Sequence, residues 1–593
     1  MKKISFALLL LHWFTAVTAQ VSYSKEVQEQ IARVENTLSE GLIIDGKTYT
    51  ISERMKKYNV QGISVAVIDN YQLVWAKGYG FADKKENRKV SPNTLFEPGS
   101  ISKSINAVGI LKLAQDGKLD LYQDINQYLV SWKFPYDTVS HGKKINTARL
   151  LSHTAGLSGH GFPGYHRDSA LPTIPQILDG QPPANTEAIR SFAEPGKESV
   201  YSGGGITISQ LIMTDITKQS YETYMAENVL RPLGMKNSFY NQPPAGRQEH
   251  LATGYKADGS EVAGKYFVYP EKAAAGLWTT PTDIAGYLVE MQLAYQGKSA
   301  RVLNQDMVKL HVTPYENRDA AMGTFLQVRN GEKYFVHSAS NEGFTGYFLA
   351  GLTNGKGIAL FANSDDGYVL LELLNSVAAV YDWPGFAKPE QVSTVPVHDT
   401  LLEKYTGDYI TDGIFAEVKK EKDGLYYWID GYSAQMYFTS PNEFRNIEFR
   451  GVKTFVFAAN RNVSGISRKF NGKDLPPAQR VTLLDTLQVK RGQWSAYGWH
   501  LLETKRFEKA RLFLSKGFEH DAADSTLLKN LAHACLFSND FPKAMDLYRQ
   551  YLSSDKDGKG LRETLKRDFE GFRKNELDGS LIDRAKNTLQ LTD

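Results

Sequence analysis

A single cysteine, Cys535, occurs in 593 residues, so no disulfide can form within the chain. Its setting, AHACLF, reads as a helix interior, where cysteine acts as a small buried hydrophobe. Long apolar runs are also missing, apart from ISFALLLLHWFTAV at the start, and that run is shorter than the roughly 20 residues a membrane span needs. Neither sign of charge dominates. The formal net charge is +3, with no concentrated basic block of the kind that binds nucleic acid. There is no G-x-S-x-G nucleophile elbow and no H-E-x-x-H zinc helix. Gly297-Lys298-Ser299 ends like a phosphate-binding loop, but Gln292 stands where that loop requires its first glycine. His160 and His166 lie in a glycine-rich loop without a partner at metal-ligand spacing, so no metal and no organic cofactor is implied.

The composition is globular, 42% hydrophobic and 23% charged, with more chain than one core organises; two to four domains are expected. Met1-Lys2-Lys3, the apolar run and Val17-Thr18-Ala19 before Gln20 have the layout of an export signal. Cleavage after residue 19 would deliver the protein to a periplasm or beyond. Residues 24–385 then read as one domain, with a β-hairpin around Asp69-Asn70-Tyr71 and strand-like runs returning at Tyr334–Val336, Gly346–Leu352 and Gly357–Phe361. The sheet therefore takes strands from both ends of the domain. Between them, a long loop, HGFPGYHRDSALPTIPQILDGQPPAN, has the length of a functional wall or lid. A proline-rich stretch, 386–397, reads as a linker. Short β-type runs over 398–482 (LYYWI, AQMYF, TFVFA, ISRKF) imply a small antiparallel domain. From 490 to 593 the pattern is helical, and KRFEKARLF recurs as NDFPKAMDL 34 residues on. That period resembles tetratricopeptide repeats, whose concave face takes a protein partner.

The chemistry centres on Phe96-Glu97-Pro98-Gly99-Ser100-Ile101-Ser102-Lys103. The Pro-Gly pair, the apolar positions Ile105, Val108 and Leu111, and Gly117 as a stop predict an amphipathic helix from about Ser100. Three residues apart share a face, so the Lys103 amine can reach the Ser100 hydroxyl. Serine needs such a base, and a helix N-terminus supplies backbone N–H groups where an oxyanion would form. Alone, S-x-x-K is weak. Ser140–Lys143 and Ser553–Lys556 share it, but only Ser100 follows an F-x-P-G turn and opens a helix.

FEPGSISKSINA resembles the active-site segment of the class C β-lactamase-like superfamily, which includes penicillin-binding proteins, D-alanyl-D-alanine carboxypeptidases, D-aminopeptidases and some carboxylesterases. LLSHTAGL (150–157), VYSGGGITISQLI (200–212), LRPLGM (230–235), AAAGLWTTPTDIA (273–285) and HSASNEGF (337–344) follow in the same order. The resemblance implies an α/β fold, with an antiparallel sheet flanked by helices and a helical subdomain. It also implies an acyl-enzyme mechanism on D-amino-acid peptides, esters or β-lactams. Ser100 would be the nucleophile, Lys103 its base and Tyr201 the proton relay, with the backbone N–H groups of Ser100 and Ser340 as the oxyanion hole. His337, Ser338 and Ala339 correspond to the third motif, on an edge strand, with His337 as a cationic or hydrogen-bonding group toward substrate. His153 reads as structural support. Two departures stand out: Gly203 replaces the usual asparagine of the second motif, and Ala339 replaces a glycine, so its methyl would crowd or tilt the substrate channel. Both point away from an efficient β-lactamase and toward a peptidase or esterase. A non-catalytic peptide-binding protein is the alternative from another class.

Overall fold

The computed structural model describes residues 23–591 apart from 40, 245, 448, 450, 471, 482–488, 491 and 555–558. The segment read as an export signal, 1–19, lies outside the described residues. The chain forms two compact units. The first comprises Thr48–Pro389 with the residues up to Gly41; the second comprises Glu390–Asp593 together with Leu42–Lys47.

The first unit is built on seven antiparallel strands: β1 (Gly62–Asp69), β2 (Gln72–Asp83), β3 (Arg88–Lys89), β4 (Phe325–Arg329), β5 (Glu332–Asn341), β6 (Phe344–Gly351) and β7 (Gly357–Ala362). Their spatial order is β3-β2-β1-β7-β6-β5-β4. Early and late strands thus meet at the centre, with Ile63 opposite Ala362. The β1–β2 turn places Asn70 and Tyr71 at φ 50° and 62°, the two positive values that a two-residue hairpin of matching twist requires. Four helices carry the site or cover the sheet: α1 (Ile101–Gln115), α2 (Gly203–Thr217), α3 (Pro281–Tyr295) and α4 (Tyr368–Val380). Alternation along β1 feeds two cores, because both sheet faces are covered. Ile63, Val65 and Val67 pack with α4 and the N-terminal helix Lys25–Asn36. Ala66 and Ile68 face α1, α2 and α3. Each fully buried aliphatic side chain contributes about 1.5–3 kcal/mol.

α1 differs from its sequence expectation. It is buried on every side from Ile101 to Leu111, not amphipathic. Its polar residues are buried because each finds a partner: Ser102 donates to the Gly99 carbonyl, Ser104 to the Gly323 carbonyl and Asn106 to Ser209 Oγ. Satisfied in this way, they cost little inside an apolar unit.

In the second unit, Leu42–Ile44 and Glu390–Val392 form a two-stranded parallel ribbon, so part of the expected linker is ordered. Nine short strands follow: β8 (Gly407–Thr411), β9 (Ile414–Glu421), β10 (Gly424–Ile429), β11 (Tyr432–Gln435), β12 (Tyr437–Phe438), β13 (Glu443–Arg445), β14 (Val452–Phe457), β15 (Val463–Phe470) and β16 (Lys473–Arg480). Their order is β11-β10-β9-β8-β16-β15-β14-β13-β12. The two ends, β11 and β12, are consecutive pieces of one stretch broken only at Met436, so the sheet wraps round as a barrel. Tyr405, Tyr409, Tyr427, Phe444 and Phe455 fill much of its interior.

Six helices, α5 (Gln493–Glu503), α6 (Phe507–His520), α7 (Ser525–Phe537), α8 (Phe541–Ser553), α9 (Lys559–Lys574) and α10 (Gly579–Thr588), complete the second unit. The 34-residue recurrence falls on the first turns of α6 and α8, where Ala510 and Ala544 are fully buried. Barrel and helices share a core. Phe415 stacks on Tyr497 at 4.4 Å, Trp428 stacks on His500 at 3.8 Å, and Arg506 clamps Glu417 through two bonds of 2.7 and 2.8 Å. Among the described residues, no helix is long and apolar enough to cross a membrane.

Candidate active site

The Pro98-Gly99 turn delivers Ser100 to the N-terminus of α1. Gly99 has φ +54°, and a Cβ there would come within 2.6 Å of the Ser340 carbonyl, so glycine lets the end of β5 lie directly on this turn. Ser100 occupies the N-cap position without using its hydroxyl as a cap. The oxygen instead accepts two hydrogen bonds, from Lys103 Nζ at 2.8 Å and from the Tyr201 hydroxyl at 2.8 Å. Lys103 is buried, donates also to the Ala274 carbonyl at 2.8 Å, and lies 5.2 Å from the Tyr201 ring. Residues 100, 103 and 201 thus converge on one oxygen.

Tyr201 is held from three directions. The His153 ring lies tilted against its ring at 4.3 Å, and Phe325 on β4 stacks 6.4 Å away. His160 Nδ1–H donates to its carbonyl at 2.7 Å. Ser202, the central residue of the second motif, caps α2: its hydroxyl accepts from the Gly205 N–H at 2.9 Å.

His337 sits on β5, which is not the edge strand. The edge is β4, but its pairing stops at Phe325 opposite Val336, so residues 337–341 continue without a neighbour on that side. The imidazole is 2% exposed, and burial, then the Lys103 charge, push its pKa down to about 3. It is therefore neutral, and the cationic role expected from the sequence is not available to it. Nδ1–H donates to the Ser338 carbonyl at 2.6 Å, and Nε2 is buried without a partner. Burial and Lys103 likewise hold His153 well below the ordinary range. Ser338 and Ser340 are exposed along the open strand. Ala339 is opposite Gly346, over which Pro98, Ile101 and Phe361 pack.

A family model described as Beta-lactamase matches residues 49–380, more than half of the chain. The chain belongs to the Beta-lactamase family. It thereby has the β-lactamase-type fold, within the superfamily that includes the penicillin-binding proteins. Protein flp of Staphylococcus aureus strain N315 is 27% identical over 338 residues, covering 55% of this chain and 64% of the relative. The chain therefore spans less than two thirds of that relative's length. Among solved structures, the octameric penicillin-binding protein homologue from Pyrococcus abyssi aligns with a TM-score of 0.51 and 22% identity, over 72% of this chain and 98% of that one. A D-amino acid amidase from Ochrobactrum anthropi SV3, complexed with D-phenylalanine, aligns at 0.46 and 20%, over 60% and 99%. At 22% identity, the likeness to the Pyrococcus abyssi protein speaks for the fold alone.

Within this β-lactamase-family site, Gly203 is covered by the long loop seen in the sequence. A Cβ at 203 would meet the Phe162 ring at 2.9 Å. Phe162 thus stands where an asparagine side chain would begin. The literal Y-x-N at Tyr315–Asn317 is elsewhere: Glu316 pairs with Arg149, and Asn317 Nδ2 bonds the carbonyls of Tyr315 and Ala320. Among the described residues, the Ser140–Lys143 segment lacks the Ser–Lys bond. Ser140 is buried and donates to the Asp137 carbonyl while Lys143 pairs with Glu194; Lys556 lies outside the described residues.

Two neighbours of the nucleophile turn escaped the sequence reading. Glu97 is fully buried, accepts from Gln242 Nε2 at 2.8 Å and leaves one carboxyl oxygen unpartnered. Burial holds its pKa well above the ordinary carboxylate value, against the opposing hydrogen bond of Gln242. Asn341 in turn donates to the Ala275 carbonyl at 3.0 Å, tying β5 to the segment that receives Lys103. The only signal for either was an acid directly before Pro-Gly-Ser in an apolar setting.

Proposed function

We propose that the chain is a serine acyl-hydrolase in which Lys103 takes the Ser100 proton, Ser100 Oγ attacks a carbonyl and Tyr201 passes a proton to the leaving group. The observation that carries this reading is the shared oxygen: Ser100 Oγ accepts from both Lys103 and Tyr201 at 2.8 Å. The backbone N–H groups of Ser100 and Ser340 would hold the oxyanion, since the end of β5 lies on the Gly99 turn. Water then releases the acyl group.

The substrate reading is D-amino-acid peptides or esters. Gly203 offers no side-chain amide, and neutral His337 offers a substrate carboxylate no positive charge. Both features work against the alternative of an efficient β-lactamase. Export from the cytoplasm, and a protein partner on the helices of the second unit, belong to the same proposal and rest on the sequence pattern alone.

The test is intact-mass spectrometry of wild type and Ser100→Ala after incubation with p-nitrophenyl esters, D-Ala-D-Ala peptides and nitrocefin. The expected result is an adduct or turnover with an ester or D-peptide that is absent from the variant. Tyr201→Phe should lower kcat by about 10²–10⁴-fold. If a fluorophosphonate probe also fails to label Ser100, the reading is wrong and the peptide-binding alternative replaces it.

A further inference from the structure

The barrel of the second unit is closed tightly enough that most of its interior is side chain, as in small barrels generally. One cavity of about 120 Å³ remains between β10, β14 and β15. Its polar lining is cationic and hydroxylic. Lys453, on β14, is 4% exposed, and its amine donates to the Phe449 carbonyl. Arg468, opposite it in register on β15, donates to the Thr411 hydroxyl. The Tyr427 hydroxyl, on β10, is buried and has no partner. Among the described residues, neither Lys453 nor Arg468 has a carboxylate ion-pair partner. The neighbouring cations differ: Arg445 pairs with Glu390 at 2.7 Å, and Lys469 with Asp474 at 3.5 Å.

Two facing cations and an idle hydroxyl donor in one cavity are an unbalanced arrangement, because buried charge is costly unless paired. Burial, reinforced by Arg468 and Arg445, lowers the Lys453 pKa to about 7. Of the remaining walls, Ile429, Phe449, Val452 and Leu475 are apolar, and Lys469 is the cation paired with Asp474. We propose that this cavity binds a small amphiphilic carboxylate, with its anionic head between Lys453, Arg468 and the Tyr427 hydroxyl and its apolar body against Ile429, Val452 and Leu475. A hydrated inorganic anion satisfies the cations but leaves the apolar walls without a partner. A cavity of about 150 Å³ elsewhere accommodates benzene, so the body is at most about one ring or a short alkyl chain.

The experiment is isothermal titration calorimetry on the full chain with benzoate, its neutral counterpart benzamide and inorganic phosphate. Benzoate should bind at one site outside the Ser100 cleft, with benzamide and phosphate each at least about tenfold weaker. Lys453→Met and Arg468→Gln should each weaken benzoate about tenfold or more and leave p-nitrophenyl ester turnover unchanged. Competition in the ester assay reports any benzoate in the Ser100 cleft separately. Equal affinity for benzamide, tighter binding of phosphate, unaltered affinity in the variants, or no binding up to about 10 mM would each overturn the proposal. Should Lys453→Met fail to fold, Tyr427→Phe keeps the ring and removes only the hydroxyl. Unchanged benzoate affinity in both Tyr427→Phe and Arg468→Gln is then equally decisive against it.

Discussion

The His153 imidazole lies 4.3 Å from the Tyr201 ring, and its Nδ1 accepts from the N–H of Ser202, the next residue along. One buried neutral side chain therefore fixes both the phenol and the turn that carries it. His153 does so from the left-handed region, φ +59°, where asparagine is better tolerated than most residues. His153→Asn retains an acceptor for Ser202 without the ring surface, whereas His153→Phe retains the surface without the acceptor. If His153 positions Tyr201, both variants lower kcat by about 10–100-fold, since displacing a catalytic group by about 1 Å has such effects. KM for a small ester stays within about threefold. A rise in KM alone would assign His153 to substrate binding instead.

His337 gives a prediction whose sign follows from its depressed pKa. The folded protein resists protonation until about pH 3, while the unfolded chain protonates near the ordinary value of 6.5. Between these values the unfolded state binds more protons, so this contribution is complete above about pH 6.5 and is lost as pH falls toward 3. His337→Gln should flatten that part of the stability curve, read from chemical denaturation at a series of pH values. It should change the level of kcat/KM without moving the pKa values of its pH profile, because a group that stays neutral contributes no titration there.

The contact between Gly203 and Phe162 yields a double-mutant cycle. Gly203→Asn restores the usual family residue but drives its Cβ into the ring. Overpacking of this kind costs about 1–3 kcal/mol. Phe162→Ala in the same chain should recover most of that loss and raise nitrocefin turnover above that of either single variant. Additive effects would mean that the loop already moves away from Gly203, contrary to the packing described.

The fold was legible where local chemistry and tertiary structure agree. The Asn70-Tyr71 hairpin, the returning strands β5 to β7 and the Pro98-Gly99 helix start all depend on turn residues and alternation that a sequence displays directly. The edge strand β4 was missed because FLQVR is short and half-exposed, despite Gly323 before it and the Asn330-Gly331 turn after it. The all-round burial of α1 was hidden because Ser102, Ser104 and Asn106 look like a solvent face until their distant partners are known. At the site, Ser100 and Lys103 are three residues apart and share a helix face, whereas the neutrality of His337 depends on burial and on Lys103, which lies 234 positions earlier. Glu97 and Asn341 meet only through folding.

The same dependence on distant partners governs Glu417 on β9. Arg506 and His500 reach it from the helices, and together they hold its pKa at about 2 despite burial. A depressed acid contributes stability that is complete above its unfolded value, near 4.5, and is lost as pH falls toward 2. Arg506→Met leaves the carboxylate buried beside Trp428 and Phe415 with a much weaker counter-charge, and breaking such a pair costs about 3–5 kcal/mol. The variant should therefore melt several degrees lower at pH 7, with the deficit shrinking as Glu417 protonates in acid. Glu417→Gln in the Arg506→Met background should recover part of the loss by removing the stranded charge. A full-strength Arg506→Met protein at pH 7 would mean that barrel and helices are held together by their shared aromatic core alone.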